Sequence, residues 1–285
     1  MNFEFSPSFR FKVFVIILFG FSMSYAQQKV TLQAMSYNIR YDNPKDGKNQ
    51  WQFRKGTLTD YFLKQTPDII GMQEVLHNQL LDLTKALEDY AYVGVGREDG
   101  KSKGEYSPIF YHKTKLSILE SGTFWLSETP EQISVGWDAA LERICTYARF
   151  EHHKSKKQFW VFNTHFDHVG KVARTQAARL ILNQIEKYNP QNLPILITGD
   201  FNLTPDALPI QIFQATFQDV LFELPKSDPT YGTFTGFEKE KNAEGRIDYI
   251  FQKGFEVKKA AHLWIKTPEG LWASDHHPVY LICSF

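Results

Sequence analysis

Several carboxylate, amide and imidazole side chains lie where a short apolar segment of the sequence begins or ends. Carboxylate and amide oxygens are ligands that a hard cation such as Mg²⁺ prefers, and imidazoles can give or take protons. These residues are Asn38, Glu74, His165, Asp200, Asn202, Asp248, Asp275 and His276. A single Asn or Asp in such a place is often a turn-former, because its side chain bonds its own backbone. So many of them together indicate one shared site for metal-assisted chemistry.

The elements that must position these residues follow from the hydrophobic pattern. Helices are predicted over 54–65, over a stretch with Leu80, Leu83 and Leu87 on its core face, and over 171–188. The predicted strands are 31–37, 68–72, 109–111, 117–124, 144–150, 159–163, 194–198, 246–251, 255–264 and 279–283. This mixture, with several adjacent strand pairs and no repeat or linker, favours one domain of two packed sheets with helices outside. Polar groups at the strand ends would then converge on one edge.

Six blocks of the sequence resemble the successive motifs of the endonuclease/exonuclease/phosphatase superfamily, in its usual order. They are MSYNIRYDN, IIGMQEV, NTHFDHVG, ITGDFNLTP, RIDYIF and SDHHPV. The match extends over about residues 31–285, and GDFN and SDHHPV are its most specific parts. The resemblance implies an α+β fold, a four-layered α/β/β/α sandwich like that of deoxyribonuclease I. It also implies an active site at one edge of the two central sheets.

The resemblance further implies a role for each residue. Glu74 would be the main ligand of Mg²⁺, which Mn²⁺ can replace, and Asn38 and Asp275 would be further metal ligands. His276 would be the catalytic imidazole, with Asp248 fixing its tautomer. We therefore expect metal-assisted attack of an activated water on a phosphate ester.

Three more residues complete the set around the phosphate. Asp200 would orient or deprotonate the attacking water, Asn202 would donate to the non-bridging oxygens, and His165 would contact the scissile phosphate. Whether the imidazole of His276 or the carboxylate of Asp200 takes the proton stays open, as does the number of metal ions. Monoester and diester cleavage use the same machinery, so the sequence does not separate them.

Candidates for substrate binding lie outside these blocks. Arg143 could clamp a phosphate with its planar guanidinium, and Tyr106 could line the pocket. Trp137, in the loop-like GWDAA, could stack on a base. The alternatives are a surface salt bridge for Arg143 and core packing for most of the tryptophans.

Nine histidines suggest zinc as an alternative metal. His165 and His168 are spaced H-x-x-H, but residues three apart at a strand end point to opposite faces, so Mg²⁺ remains the expected ion. Asp167 and His168 could equally extend the phosphate site or shape the loop. Cys145 and Cys283 could pair in an exported protein or remain buried free thiols.

The first 26 of the 285 residues have the order of a secretory signal peptide. Arg10 and Lys12 precede an apolar run, 13–21, that is too short to span a bilayer, and small residues follow it. We therefore expect 1–26 to be removed, which leaves one endonuclease/exonuclease/phosphatase domain over 27–285. The protein would be exported to the periplasm or beyond the cell. No second stretch is apolar enough to cross a bilayer, so we expect no stable membrane association and a monomer.

Charge bears on the substrate. Removal of the leader takes away Glu4, Arg10 and Lys12, so the 32 basic and 32 acidic residues become 30 and 31. The net charge is then close to zero and does not attract nucleic acid to the protein as a whole. We expect a small phosphorylated molecule or a single-stranded nucleic acid as substrate. The alternatives are a duplex endonuclease and a sphingomyelinase-type lipid phosphodiesterase, although only 234–237 offers an exposed apolar segment for lipid. A binding protein without activity would show gaps in the metal and imidazole set, and the sequence has none.

Overall fold

The strands form two six-stranded sheets that pack face to face in a computed structural model, which describes residues 1–4, 29–238 and 245–285. Almost all of the predicted signal peptide lies outside the described residues. Helices cover the outer face of each sheet, so the layers run α/β/β/α, as the sequence predicts. Within the described ranges, none of the helices combines the length and apolarity needed to cross a bilayer.

The elements agree with the sequence pattern except for the shortest ones. The strands are β1 (Thr31–Asn38), β2 (Ile69–Gln73), β3 (Tyr90–Val93), β4 (Ile109–His112), β5 (Leu116–Trp125), β6 (Ile144–His152), β7 (Gln158–His165), β8 (Ile195–Asp200), β9 (Gln218–Asp219), β10 (Asp248–Lys253), β11 (Glu256–His262) and β12 (Val279–Ser284). The helices are α1 (Trp51–Gln65), α2 (His77–Ala86), α3 (Lys171–Tyr188) and α4 (Leu208–Gln214), and a 3₁₀ helix spans Pro44–Asn49. The sequence does not predict β3, β9 or α4, because elements this short are too brief for a hydrophobic period to show.

Strand pairing places the functional residues along one edge. The strand orders are β11-β12-β1-β2-β4-β3 and β5-β6-β7-β8-β10-β9. The central pairs β1–β2 and β7–β8 are parallel, so their carboxyl ends meet: Asn38 pairs with Gln73, and His165 pairs with Asp200. The antiparallel β10 begins there, with Asp248 opposite Asp200. Glu74 directly follows β2, so it joins the same edge.

An amide network links the two sheets directly behind that edge. Its centre is the buried Asn163 on β7, which bonds the carbonyls of Met72 (2.7 Å) and Pro108 (3.0 Å), Gln73 Nε2 (2.7 Å) and Thr198 Oγ1 (2.9 Å). At Gly71 the sheets approach closely, because a Cβ atom there would lie 2.1 Å from Thr198 Oγ1. Buried amides must find partners, so this network fixes how one sheet sits on the other.

The two cysteines are buried and free. Cys145 belongs to the core between the second sheet and its helices, whereas Cys283 belongs to the core between the sheets. Burial raises the pKa of the Cys283 thiol to about 12. The alternative of a disulfide is therefore wrong, and both cysteines act as small apolar core residues.

Candidate active site

Three ligand atoms come together at the edge where the central strands end. Glu74, Asp200 and His276 each contribute an oxygen or nitrogen that lies within 4.8 Å of the other two. In the part of the chain that the structure describes, no other group of three His, Cys, Asp or Glu residues has such spacing. We call these residues the trio. Two carboxylates beside an imidazole are a donor set that fits a divalent cation.

Asn38 lies between the two carboxylates of the trio. Its Nδ2 donates to Glu74 Oε1 at 3.0 Å and to Asp200 Oδ2 at 2.9 Å, while its Oδ1 accepts from the backbone N–H of Arg40 at 3.0 Å. The sequence predicts that the amide oxygen serves the metal. In this structure the amide nitrogen faces the carboxylates, because a carboxylate needs a hydrogen-bond donor. The amide group of Asn38 would have to rotate by half a turn for its oxygen to become a metal ligand.

Asp275 stands beside the trio and faces a cation. Its Oδ2 lies 3.8 Å from Arg40 Nε, and Ser274 Oγ donates to its Oδ1 at 3.3 Å. Burial raises the pKa of the Asp275 carboxyl, and the nearby charge of Glu74 adds to the rise. The structure thus brings Asp275 to the site, as predicted, but pairs it with Arg40, which the sequence did not single out.

His276 forms a close dyad with Asp248. Its Nδ1 lies 2.8 Å from Asp248 Oδ2, and its Nε2 lies 3.7 Å from Asp200 Oδ2. Burial by itself would lower the pKa of His276, but the carboxylates of Asp248 and Asp200 outweigh it and raise the pKa well above the ordinary range. The imidazole therefore holds a proton on both nitrogens, so Nδ1–H donates to Asp248 and Nε2–H is directed toward Asp200.

Asp200 has the environment of a base that works near neutral pH. Burial and the neighbouring Asp248 raise the pKa of its carboxyl to about 7, against the opposing effects of His276 and Asn38. The backbone N–H of Asn202 donates to its Oδ1 at 2.9 Å and fixes the carboxylate plane. A general base is most effective when its pKa lies near the working pH.

The tautomer of His165 follows from its neighbours. Asn202 Nδ2 donates to the carbonyl of Phe166 at 2.9 Å and lies 3.1 Å from His165 Nε2. Because that carbonyl can only accept, the amide nitrogen must face His165, and Nε2 receives its hydrogen. Burial lowers the pKa of His165, with Arg143 and Arg97 adding to the effect, so the ring is neutral and its proton sits on Nδ1.

Behind His165 lies a buried ion cluster that the sequence did not reveal. Glu105 Oε2 is 3.7 Å from His165 Nδ1, and both oxygens of Glu105 receive the guanidinium of Arg97, at 2.9 and 3.0 Å. Burial raises the pKa of the Glu105 carboxyl. In the sequence these residues stand in a polar stretch, GREDGKSKGEY, where charged side chains are expected to face solvent.

Arg143 is buried rather than on the surface, so the alternative of a surface salt bridge is wrong. Its Nε lies 3.4 Å from Asp167 Oδ2, its Nη2 lies 3.1 Å from His168 Nδ1, and its Nη1 has no partner. Asp167 also accepts from the backbone of Val169 and Gly170, at 2.9 and 2.7 Å. Asp167 therefore shapes this loop, and Nη1 of Arg143 remains a spare donor.

The two aromatic candidates take different places. Tyr106 is buried, and its hydroxyl donates to the carbonyl of Lys101 at 2.8 Å; its backbone N–H donates to Val75 at 2.8 Å. It therefore supports the segment after Glu74. Trp137 is partly exposed in the 126–142 loop, and its backbone N–H donates to Glu128 at 3.1 Å.

Three residues of the site have left-handed backbone conformations. The φ angles are 59° at Arg40, 59° at Glu74 and 52° at Asn202. Such conformations are strained for residues other than glycine, and they persist where surrounding contacts enforce them. Strain concentrated at the ends of β1, β2 and β8 is typical of a functional edge.

The fold and the site together define a class: a two-sheet sandwich whose strand ends carry a cation-binding and imidazole-carboxylate centre. Residues 35–276 match the Endonuclease/Exonuclease/phosphatase family, and the chain belongs to this family. Its members are hydrolases that act on phosphoester bonds and depend on divalent metal ions.

Similar proteins support the assignment of the chain to this family. A family protein of Bacteroides thetaiotaomicron is 36% identical with a TM-score of 0.84, and the match covers 90% of this chain and 99% of that one. A mannosyl-6-phosphatase of the same species is 37% identical with a TM-score of 0.83, covering 89% of this chain and all of that one (100%). The uncharacterized protein L388 of Acanthamoeba polyphaga mimivirus is 31% identical over 166 residues, 56% of this chain. That match spans 61% of the viral protein's length.

Proposed function

We propose that the protein is an exported phosphoesterase that uses Mg²⁺, or Mn²⁺ in its place, to hydrolyse a small phosphate monoester such as a sugar phosphate. The observation that carries the proposal is the trio of Glu74, Asp200 and His276, with His276 backed by Asp248 at 2.8 Å. Export is supported by the order of the first 26 residues.

The ion would be held mainly by Glu74 Oε1, on the side where Asn38 and Asp200 lie, whereas Asp275 stands beside Arg40. The ion would supply Lewis-acid polarisation of a phosphoryl oxygen. Spacing alone would also allow His276 as a ligand. We assign His276 to the substrate instead, because its Nδ1 is engaged by Asp248 at 2.8 Å and its Nε2 is directed toward Asp200. Its Nε2–H would then donate to the charge that develops on the phosphate.

The other residues would either accept the proton of the attacking water or contact the phosphate. Asp200 would take the proton of the attacking water, since its pKa of about 7 suits a base. Asn202 lies beside Asp200, and its Nδ2–H would orient a phosphate oxygen once it exchanges His165 Nε2 for the substrate; His165 positions that amide. The spare Nη1 of Arg143 lies in the same cluster and adds positive charge for a dianionic monoester.

Three observations support a small monoester over the alternatives. The relative described as a mannosyl-6-phosphatase matches this chain over 89% of its length. The balance of 32 basic and 32 acidic residues gives no attraction to duplex DNA. The guanidinium groups near the site are buried, at 6% exposure for Arg97 and 4% for Arg143, which suits a compact anion better than an extended strand.

A metal-dependent hydrolysis screen tests the proposal. Sugar 6-phosphates, p-nitrophenyl phosphate, bis-p-nitrophenyl phosphate, single- and double-stranded nucleic acid and sphingomyelin should each be assayed with Mg²⁺, Mn²⁺ or EDTA. We expect turnover of the monoesters with either ion and none in EDTA. Preference for duplex DNA, with a steep dependence on salt, would reverse the substrate ranking.

Two substitutions test the site itself. Glu74→Ala and His276→Ala should each lower kcat/KM by roughly 10³-fold or more, because one removes the main metal ligand and the other a transition-state donor. Glu186→Ala, at an exposed carboxylate on α3, should leave the rate unchanged. Full turnover by both site variants, with circular dichroism unaltered, would refute the assignment.

A further inference from the structure

A guanidinium lies beside two carboxylates at the edge of the site, those of Glu74 and Asp275. Arg40 Nη1 is 3.9 Å from Glu74 Oε2, and Arg40 Nε is 3.8 Å from Asp275 Oδ2. These separations are too long for hydrogen bonds but within the range of a direct charge interaction. Arg40 thus faces both carboxylates without being bonded to either one.

The Arg40 side chain is fixed in that position. Its Nε and Nη2 donate to the two oxygens of Asp46, each at 3.0 Å, and its guanidinium lies 4.4 Å from the ring centre of Tyr41. The side chain is 22% exposed. A bidentate pair that also stacks on an aromatic ring holds the charge in one place.

The backbone of Arg40 is held equally firmly. Its N–H donates to Asn38 Oδ1 at 3.0 Å, and its carbonyl accepts from Arg54 Nη2 at 2.9 Å and from Gln79 Nε2 at 2.8 Å. These bonds enforce the left-handed conformation at Arg40, where φ is 59°. Side chain and backbone contacts therefore both determine where the charge lies.

Glu74 presents its two oxygens to different surroundings. Oε1 accepts from Asn38 Nδ2, which also bonds Asp200, so this oxygen faces the trio. Oε2 accepts from the backbone N–H of Tyr41 at 3.2 Å and faces Arg40. An ion bound to Oε1 would also lie near Asp200. An ion bound to Oε2, which we call the outer ion, would need Asp275 as its second carboxylate ligand.

We propose that Arg40 is a positioning residue that limits the site to one divalent cation. Its permanent positive charge lies where Glu74 and Asp275 would otherwise share a second ion, and at about 4 Å in a partly buried site this repulsion is poorly screened. Asp46 takes the Nε–H and one Nη2–H, and Nη1 faces Glu74 Oε2 at 3.9 Å, so the guanidinium is directed at carboxylates rather than at a substrate phosphate. The inference rests on the proposed metal-dependent function and specifies the composition of that same site.

Counting bound Mn²⁺ ions tests the inference without measuring activity. Electron paramagnetic resonance of free Mn²⁺ during titration of the purified full-length protein gives the stoichiometry. We expect one ion for the wild type and for Arg40→Lys, which keeps the charge. We expect two for Arg40→Met and for Arg40→Gln, which remove it. Lys55→Met, at a surface lysine paired with Asp82, should remain at one.

The additional ion must also be located. Asp275→Asn in the Arg40→Met background removes the outer carboxylate, so the count should return to one. Two ions in the wild type would overturn the inference even if the Arg40 variants failed to fold. A count of one for both folded uncharged variants, with unchanged affinity, would overturn it as well. No Mn²⁺ bound to the wild type would instead contradict the proposed function itself.

Discussion

The dyad of His276 and Asp248 shows how a single contact sets the charge of a catalytic group. The Nδ1–Oδ2 distance is 2.8 Å, and both groups are buried. Burial disfavours the imidazolium, yet Asp248 and Asp200 supply enough negative charge to raise the pKa of His276 well above its usual value. The protonated ring is therefore available as a donor at neutral pH.

Asp248→Asn should shift the pH dependence of the reaction. Because Asp248 raises the pKa of His276, the substitution should lower that pKa, and the alkaline decline of kcat/KM should begin at lower pH. We expect the maximal rate to fall by roughly 10² to 10⁴-fold, as for loss of a well-placed acid-base group. The measurement is a pH profile combined with NMR titration of His276. An unshifted alkaline limb would contradict the dyad, and Asp60→Asn at an exposed position serves as the control.

Among single residues, the sequence predicts those that lie in recognisable motifs and misses those that do not. Glu74, Asp200 and His276 each follow or precede an apolar strand, and the structure brings them within 4.8 Å. Arg97 and Glu105 lie in a polar stretch with no period, so the burial of Arg97 and its pairing with Glu105 depend on contacts made after folding. The left-handed φ at Glu74 cannot be predicted from the sequence either, because glutamate has no preference for that conformation.

Helix α1 contributes to the site through one buried side chain. Arg54 is 1% exposed, and its guanidinium donates to backbone carbonyls from three segments around the site. The acceptors are Ile39 (2.6 Å), Arg40 (2.9 Å), Asn49 (2.6 Å) and Ala273 (3.0 Å). The helix therefore ties the end of β1 to the segment that carries Asp275 and His276. Patterning predicts the helix, but not that an arginine would be on its buried face.

Arg54→Met should weaken both the fold and the site. Removing these donors leaves the carbonyls of Ile39, Asn49 and Ala273 without the guanidinium and the Arg40 carbonyl with Gln79 alone, which should lower the free energy of unfolding by about 3 kcal/mol. Because the two segments are then joined by fewer hydrogen bonds, such as that from Ser274 Oγ to the Asn38 carbonyl, Mn²⁺ affinity should also fall. Urea denaturation and Mn²⁺ titration measure the two effects. Lys55→Met, one residue along the same helix, should change neither, and equal stability of both variants would contradict this role.

The whole molecule combines what the pattern and the resemblance predict with what only packing determines. Apolar periods predict most strands, and the resemblance predicts the four layers. Neither predicts that Asn163 joins the sheets through Met72 and Pro108, or that Gly71 lets them approach so closely. Such contacts join residues 55 to 91 positions apart, so no local period encodes them. The relative position of the two sheets, and hence the site, is a property of the assembled sandwich.

The dependence of overall stability on pH should reveal a buried neutral histidine beside the site. His277 is stacked at 5.8 Å on Trp264 and lies edge-on at 4.6 Å to Trp272. Burial lowers the pKa of His277 to about 4, and the nearby His262 and His276 add to the effect. In the unfolded chain the pKa would be about 6.5, so between these values the unfolded state binds more protons.

The sign of the effect follows from that difference. The contribution of His277 to stability is complete above pH 6.5 and is lost as the pH falls toward 4, by about 3 kcal/mol in total. His277→Phe keeps an aromatic ring between the tryptophans but cannot titrate. The free energy of unfolding, measured by urea denaturation in EDTA from pH 4.5 to 8, should therefore decline less steeply for the variant than for the wild type as the solution is acidified. Parallel curves for the two proteins would contradict the prediction, because they would show that the pKa of His277 does not change when the chain unfolds.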